Sequence, residues 1–293
     1  MGTSGTFGGS KNGLVPSWVD EPASPPAVAP DNAEPDSTDA DGNGGPDQNG
    51  GAPAGPAPAQ PYPPIPAVPA SSGLGGARGN ITRGARASDE RAIRRGAGRY
   101  VSASGGGRAA ASRMPNSRAV AGGVAGLARN FVNQGPAEAL RRFNLEGMAG
   151  APAEDVFVAL TDMLCPAGGT IDEAIARDAM LETVADLAAA GVGNFDELTA
   201  DDLREFFIGV VSRSIEGKIL NEVGTNAIAA PSDIGGVERA QAMLHDFVEG
   251  CVRDEFDARG TDLSDLNAAA IDSFVDDLYG AALDLVEALG DDG

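Results

Sequence analysis

The chain has 293 residues, 21 basic against 43 acidic side chains, a net charge of −22, one histidine and two cysteines. A single histidine excludes His-based triads, Cys–His dyads and most zinc sites, so neither a metal site nor a cofactor is expected. No stretch approaches the roughly twenty apolar residues of a membrane span, and the first residues lack the basic start and apolar run of a secretory signal, so the expectation is a soluble, cytoplasmic protein.

The charge falls in three blocks: net −7 over residues 1–70, +10 over 71–142 and −25 over 143–293. They suggest three regions, namely a tail with a short binding motif over 1–85, an Arg-rich helical collar over 86–142 and an acidic helical domain over 143–290. Part of the collar should pair with the acidic block in cis and part should face an anionic partner. A surface this acidic, in a chain with two lysines against nineteen arginines, also suits a salt-rich cytoplasm, where the carboxylates serve solubility.

The first 70 residues hold 11 Gly and 15 Pro, and only five prolines follow them. Such a segment offers too little apolar surface to offset the entropy of ordering it, so a disordered tail is expected, ending near Arg83. The tail nevertheless carries the only tryptophan of the chain, in Leu14-Val15-Pro16-Ser17-Trp18, behind an opening Met1-Gly2-Thr3-Ser4. Removal of Met1 before the small Gly2 would leave a free glycine amine.

From Ser88 the pattern turns helical. Ser88-Asp89-Glu90 reads as a cap, followed by Ile93, Ala97, Tyr100 and Val101, and Gly105-Gly106-Gly107 breaks the run. A second helix is predicted from Ser117 to about Val132, and Gly135-Pro136 stops it and starts a short one through Leu140. Pro152 precedes a stripe of Val156, Val158, Leu160, Met163 and Leu164. Thr170-Ile171-Asp172-Glu173 is a capping box opening a helix to Gly191. Thr199 to Asp202 opens another, with Leu203, Phe206, Phe207, Val210, Val211, Leu220 and Val223 placed on one face. Pro231-Ser232-Asp233 turns into a helix bearing Val237, Met243, Leu244, Phe247, Val248, Cys251 and Val252. A last helix, or pair of helices, uses Leu263, Leu266, Ile271, Phe274, Val275, Leu278, Leu283 and Val286. No segment alternates at period two, so the expected fold is all-α, a long disordered Pro/Gly-rich N-terminal tail followed by a single helical domain.

Little chemistry emerges along this path. His245 lies beside a core stripe and reads as a hydrogen-bonded structural histidine. Cys165 and Cys251 sit in apolar patterns and read as free, buried thiols. Carboxylate pairs such as Asp201-Asp202 and Asp276-Asp277 follow from composition and read as solvated. The collar is the strongest electrostatic feature, with Arg91, Arg94, Arg95 and Arg99 as candidate anion-binding residues. Tyr100 is its sole aromatic, too few for a base-stacking surface.

The opening Met1-Gly2-Thr3-Ser4, the glycine-serine stretch after it, Leu14-Val15-Pro16-Ser17-Trp18, and the layout of tail, Arg-rich segment with Gly98-Arg99-Tyr100-Val101 and helical domain resemble the QatB family of the prokaryotic Qat anti-phage defence system. The resemblance implies a non-catalytic protein. Its implied companions are an ATPase, a 7-cyano-7-deazaguanine synthase-like protein and a TatD-like nuclease. On that reading Gly2, Thr3, Ser4, Leu14, Val15, Pro16 and Trp18 bind the synthase-like partner, with Gly2 as an attachment point and Trp18 as the anchor. The competing readings are a nucleic-acid-binding protein using the Arg-rich segment and an acidic helical scaffold that oligomerises or docks a partner.

Overall fold

The computed structural model of the chain describes residues 73–165, 168–223 and 234–291. Among the described residues the fold is all-α, as expected: ten α-helices and no strand, with one isolated bridge between Pro152 and Asn194. The helices are α1 (Gly75–Ala87), α2 (Glu90–Ala103), α3 (Gly107–Ala111), α4 (Pro115–Gln134), α5 (Pro136–Arg141), α6 (Ala153–Leu164), α7 (Ile171–Ala189), α8 (Ala200–Val223), α9 (Ile234–Ala258) and α10 (Ala268–Asp291).

Local chemistry sets most boundaries. Asp89 caps α2, its side chain accepting from the Ala92 amide at 3.3 Å. Gly105 and Gly106 adopt φ of +92° and +91°, a region that non-glycine residues avoid, and so end the α2 segment. Thr170 and Glu173 form the reciprocal capping box at the start of α7, with both bonds at 3.2 Å. Thr199 and Asp202 exchange side-chain and backbone bonds in the same way ahead of α8.

Three expectations change. The helical domain begins at α1, where the sequence reading placed the end of the tail: Leu74, Ala77, Ile81 and Ala85 are buried in the core. This helix has few large apolar residues, and its burial depends on glycines in its neighbour. A side chain at Gly96 would strike Ile81 and the Ala77 carbonyl. Second, α8 has no single apolar face. Ile208, Ile215 and Ile219 are buried along with all the expected residues except the partly covered Leu220, so α8 is a central helix buried on more than one face. Third, Val158 and Met163 belong to the expected stripe of α6 but are 44% and 50% exposed, because α6 buries the side that carries Ala153, Val156, Phe157 and Leu160, chiefly against α7.

Around α8 lie α4, α7 and α9, while α10 packs against α2, α3, α4 and α9. Arg-rich and acidic segments thus share one core. The helices α2 and α10 meet closely at Gly98, whose missing side chain leaves room for the Val286 carbonyl and the Gly290 Cα. Two groups of aromatic rings fill the interior. Phe157 stacks on Phe206 at 4.0 Å between centroids and meets Phe195, which also packs edge-on against Phe131. Phe207, Phe256 and Phe274 form the other group.

Candidate functional site

The partner-binding residues expected in the tail, Gly2, Thr3, Ser4, Leu14, Val15, Pro16 and Trp18, lie outside the described residues, as does the turn at Pro231-Ser232-Asp233. The expected anion-binding residues are all on α2, and the helix sorts them. Arg91, Arg95 and Arg99 follow one another at four-residue steps and share a face, Arg91 and Arg99 being exposed. Arg94 points elsewhere: it pairs with Glu90 and lies over the Phe247 ring of α9 at 5.2 Å. The structure therefore separates Arg94 from the other three. Elsewhere in the Arg-rich segment, Arg118 pairs with Asp276 of α10, and Arg78 donates to the Val223 carbonyl at 2.7 Å. The Arg118–Asp276 pair is the cis pairing that the charge blocks suggested.

A cleft of about 330 Å³ opens between α7, α8 and α9, with Leu187, Val192 and Phe206 as its apolar lining and Asp202, Arg213 and His245 among its polar residues. Its charges are closed on one another. Arg213 bridges Glu182 and Asp186, and Arg253 bridges Glu205 at 2.6 Å and Glu249 at 2.7 Å. The Arg253 hydrogen bond holds the Glu205 carboxyl below its ordinary range. His245 sits between Glu216, 3.0 Å from Nδ1, and Glu249, 3.3 Å from Nε2. The bond to Glu216 raises its pKa against the opposing effect of burial. It is the hydrogen-bonded histidine that the sequence suggested, fixing α9 to α8.

Two buried polar networks were not visible in the sequence. Asp172, at the start of α7, caps α4 from a distance of 55 positions. It accepts from the Asn116 amide at 2.6 Å, the Ser117 amide at 3.3 Å and the Ser117 hydroxyl at 2.8 Å. Tyr279 of α10 extends this network, its hydroxyl lying 2.7 Å from Ser214 Oγ and 3.3 Å from the Ser117 carbonyl. The second is a cluster in which the buried hydroxyls of Tyr100 and Ser104 lie near Arg113 and Glu222 without a well-formed hydrogen bond among the described residues, and burial chiefly raises the Tyr100 pKa. Only the side-chain types were available from sequence, since the Asp172 and Tyr279 contacts join helices remote along the chain.

Cys165 and Cys251 are free and buried, as expected, and burial pushes their thiols up to about 11 and about 12. Such thiols stay protonated and are poor nucleophiles at neutral pH. Among the described residues no group of three or more His, Cys, Asp or Glu side chains could hold a metal ion, and no helix is long and apolar enough to cross a membrane.

Against known families, residues 105–286 match the one described as Qat anti-phage system associated protein QatB. No curated protein and no solved structure matches the chain.

Proposed function

The chain belongs to the QatB family of the Qat anti-phage defence system, and from that premise we propose that it is a non-catalytic subunit whose helical domain carries an N-terminal segment for a partner to bind or modify. Family membership is the observation that carries this reading, since the family is described by its association with a defence system rather than by a reaction. The geometry of the helical domain is consistent with it. The histidine is held between two carboxylates, the arginines of the cleft are saturated by acids, and both thiols are buried. These are arrangements that hold helices together.

The segment from Gly2 to Trp18 then docks into a 7-cyano-7-deazaguanine synthase-like partner, with the Gly2 amine as the group modified and Trp18, Leu14 and Val15 as the anchor. An ATPase and a TatD-like nuclease complete the set of partners, and the assembly works in the cytoplasm. A buried indole at an interface contributes about 2 kcal/mol or more, so Trp18→Ala should weaken capture of that partner by roughly 30-fold.

The test is intact-mass analysis of the full chain, co-expressed with and without the synthase-like protein, alongside variants Gly2→Asp and Trp18→Ala and a deletion of residues 1–20. A mass change or stable complex that depends on the partner and is lost in the variants supports the reading. An unaltered N-terminus together with full phage protection by all three variants overturns it.

A further inference from the structure

We infer that the outer face of the α1–α2 hairpin, formed by Arg83, Arg91 and Arg99, is a docking surface for the phosphate backbone of nucleic acid. The placement follows from helix geometry. Arg91 and Arg99 lie two turns apart on one stripe of α2, about 12 Å along its axis. The Arg99 side chain lies over Gly76 of α1, where an added Cβ would meet its Cδ at 3.3 Å and its Nη1 at 3.4 Å. Gly76 and Arg83 are seven residues apart, so they share a flank of α1. That flank adjoins the Arg91–Arg99 stripe, and Arg83 comes to lie on the same outer face of the hairpin.

These three residues are free, a property they share with the exposed Arg86 and Arg108 but with few other arginines of the described residues. Most other arginines of the described residues are engaged: Arg118 with Asp276, Arg141 with Glu138, Arg177 with Asp162, Arg204 with Asp257, and Arg213 and Arg253 with two acids each. Arg83, Arg91 and Arg99 are exposed and make no ion pair among the described residues, in a chain with a 22-charge excess of acids. The acids adjacent in sequence are occupied, since Asp89 caps α2 and Glu90 holds Arg94.

The rest of the face argues for a polyanion rather than a protein. Between the arginines it presents Gly76, Asn80, Ala87 and Ser102, with no aromatic or large aliphatic side chain to serve as a desolvated anchor. Binding there has to be electrostatic, and guanidinium forks match phosphate oxygens. With no ring to stack a base, recognition is of the backbone and independent of sequence. The net charge of −22 does not prevent it, because at physiological salt charges more than about 8 Å away are largely screened.

The test is fluorescence anisotropy of the full chain with labelled single-stranded and duplex DNA between 50 and 200 mM salt. Three phosphate contacts give a slope of about −2.7 in log affinity against log salt on duplex, about a 40-fold loss over that range. The combined Arg83→Ala, Arg91→Ala, Arg99→Ala variant should lose that slope and bind at the level of buffer controls, with its circular dichroism unchanged. Arg177→Ala, which removes an arginine paired on another part of the fold, should bind as the unsubstituted chain does. Absence of binding at 50 mM salt overturns the proposal, as does binding that the triple substitution leaves intact. Self-association or capture of an acidic protein that depends on the same arginines, without DNA binding, also overturns it. Deletion of residues 1–20 should leave DNA binding unchanged, so failure here and failure of the tail reading are separate results.

Discussion

Replacing Asp172 tests how the α4 and α7 segments are joined. Its carboxylate is 7% exposed and receives two backbone amides at the start of α4 together with the Ser117 hydroxyl. Asp172→Ala leaves all three donors without their acceptor. Loss of a helix cap costs about 1–2 kcal/mol and loss of a hydrogen bond to a charged group about 1.5 kcal/mol or more, so the expected destabilisation is about 3 kcal/mol. For a domain of this size that lowers the thermal midpoint by about 6–12 °C, and the urea midpoint by about 1 M if m is about 3 kcal/mol/M. Asp172→Asn keeps one acceptor oxygen and should cost about half as much. Ser117→Ala should cost about 1 kcal/mol in the unsubstituted chain and almost nothing when Asp172 is already alanine, because the lost bond is the same one. Urea unfolding of the four proteins measures the cycle. A change under about 0.5 kcal/mol for Asp172→Ala, or strict additivity with Ser117→Ala, would refute the capping account.

His245 supplies a pH dependence. Its folded pKa is raised chiefly by the bond to Glu216, so its contribution is complete below the unfolded value of about 6.5 and is lost as pH rises through the folded value. The urea midpoint should decline over that interval, and His245→Gln should remove the corresponding part of the slope; identical profiles would count against the clamp. Two glycines should respond with opposite signs. Gly79 faces open space in the middle of α1, so Gly79→Ala should stabilise by about 0.5–1 kcal/mol. At Gly107 a Cβ would lie 2.6 Å from the Asp284 amide nitrogen, and the Gly107 amide donates to Asp284 Oδ1 at 2.7 Å. Gly107→Ala should therefore destabilise by roughly 2 kcal/mol or more, which thermal melts would register.

Helices were legible wherever a local signal marked them. Thr170 with Glu173, Pro136 at a first helical position, and Asp89 as a cap all act within a few residues, and the structure uses each of them. The helix α1 was not legible, because Gly75, Gly76 and Gly79 have poor helix propensity and its inward side is small. What stabilises it is packing on Gly96 and Ile93 of α2, a tertiary effect that no window on α1 contains. The role of His245 could be read from its place beside a core stripe, but its partner Glu216 lies 29 positions away and on another helix. Arg91, Arg94, Arg95 and Arg99 looked alike in sequence. Helical phase separates Arg94 from the others, and Arg83 joins the face only because Gly76 lets Arg99 lie across α1.

The contact between α2 and α10 at Gly98 and Gly290 has a consequence for synthesis. About 165 residues separate the end of α2 from the start of α10, which at 5–20 residues per second is about 8–33 s of translation. Through that interval the α1–α2 hairpin has left the ribosome without the helix that covers it, so Ile93, Tyr100 and Val101 cannot be fully enclosed. Closing the core over α2 thus waits until α10 has been made. A nascent chain stalled before Ala268 would be held in a state in which its first helices expose apolar surface to chaperones, or to the α10 of a finished neighbour.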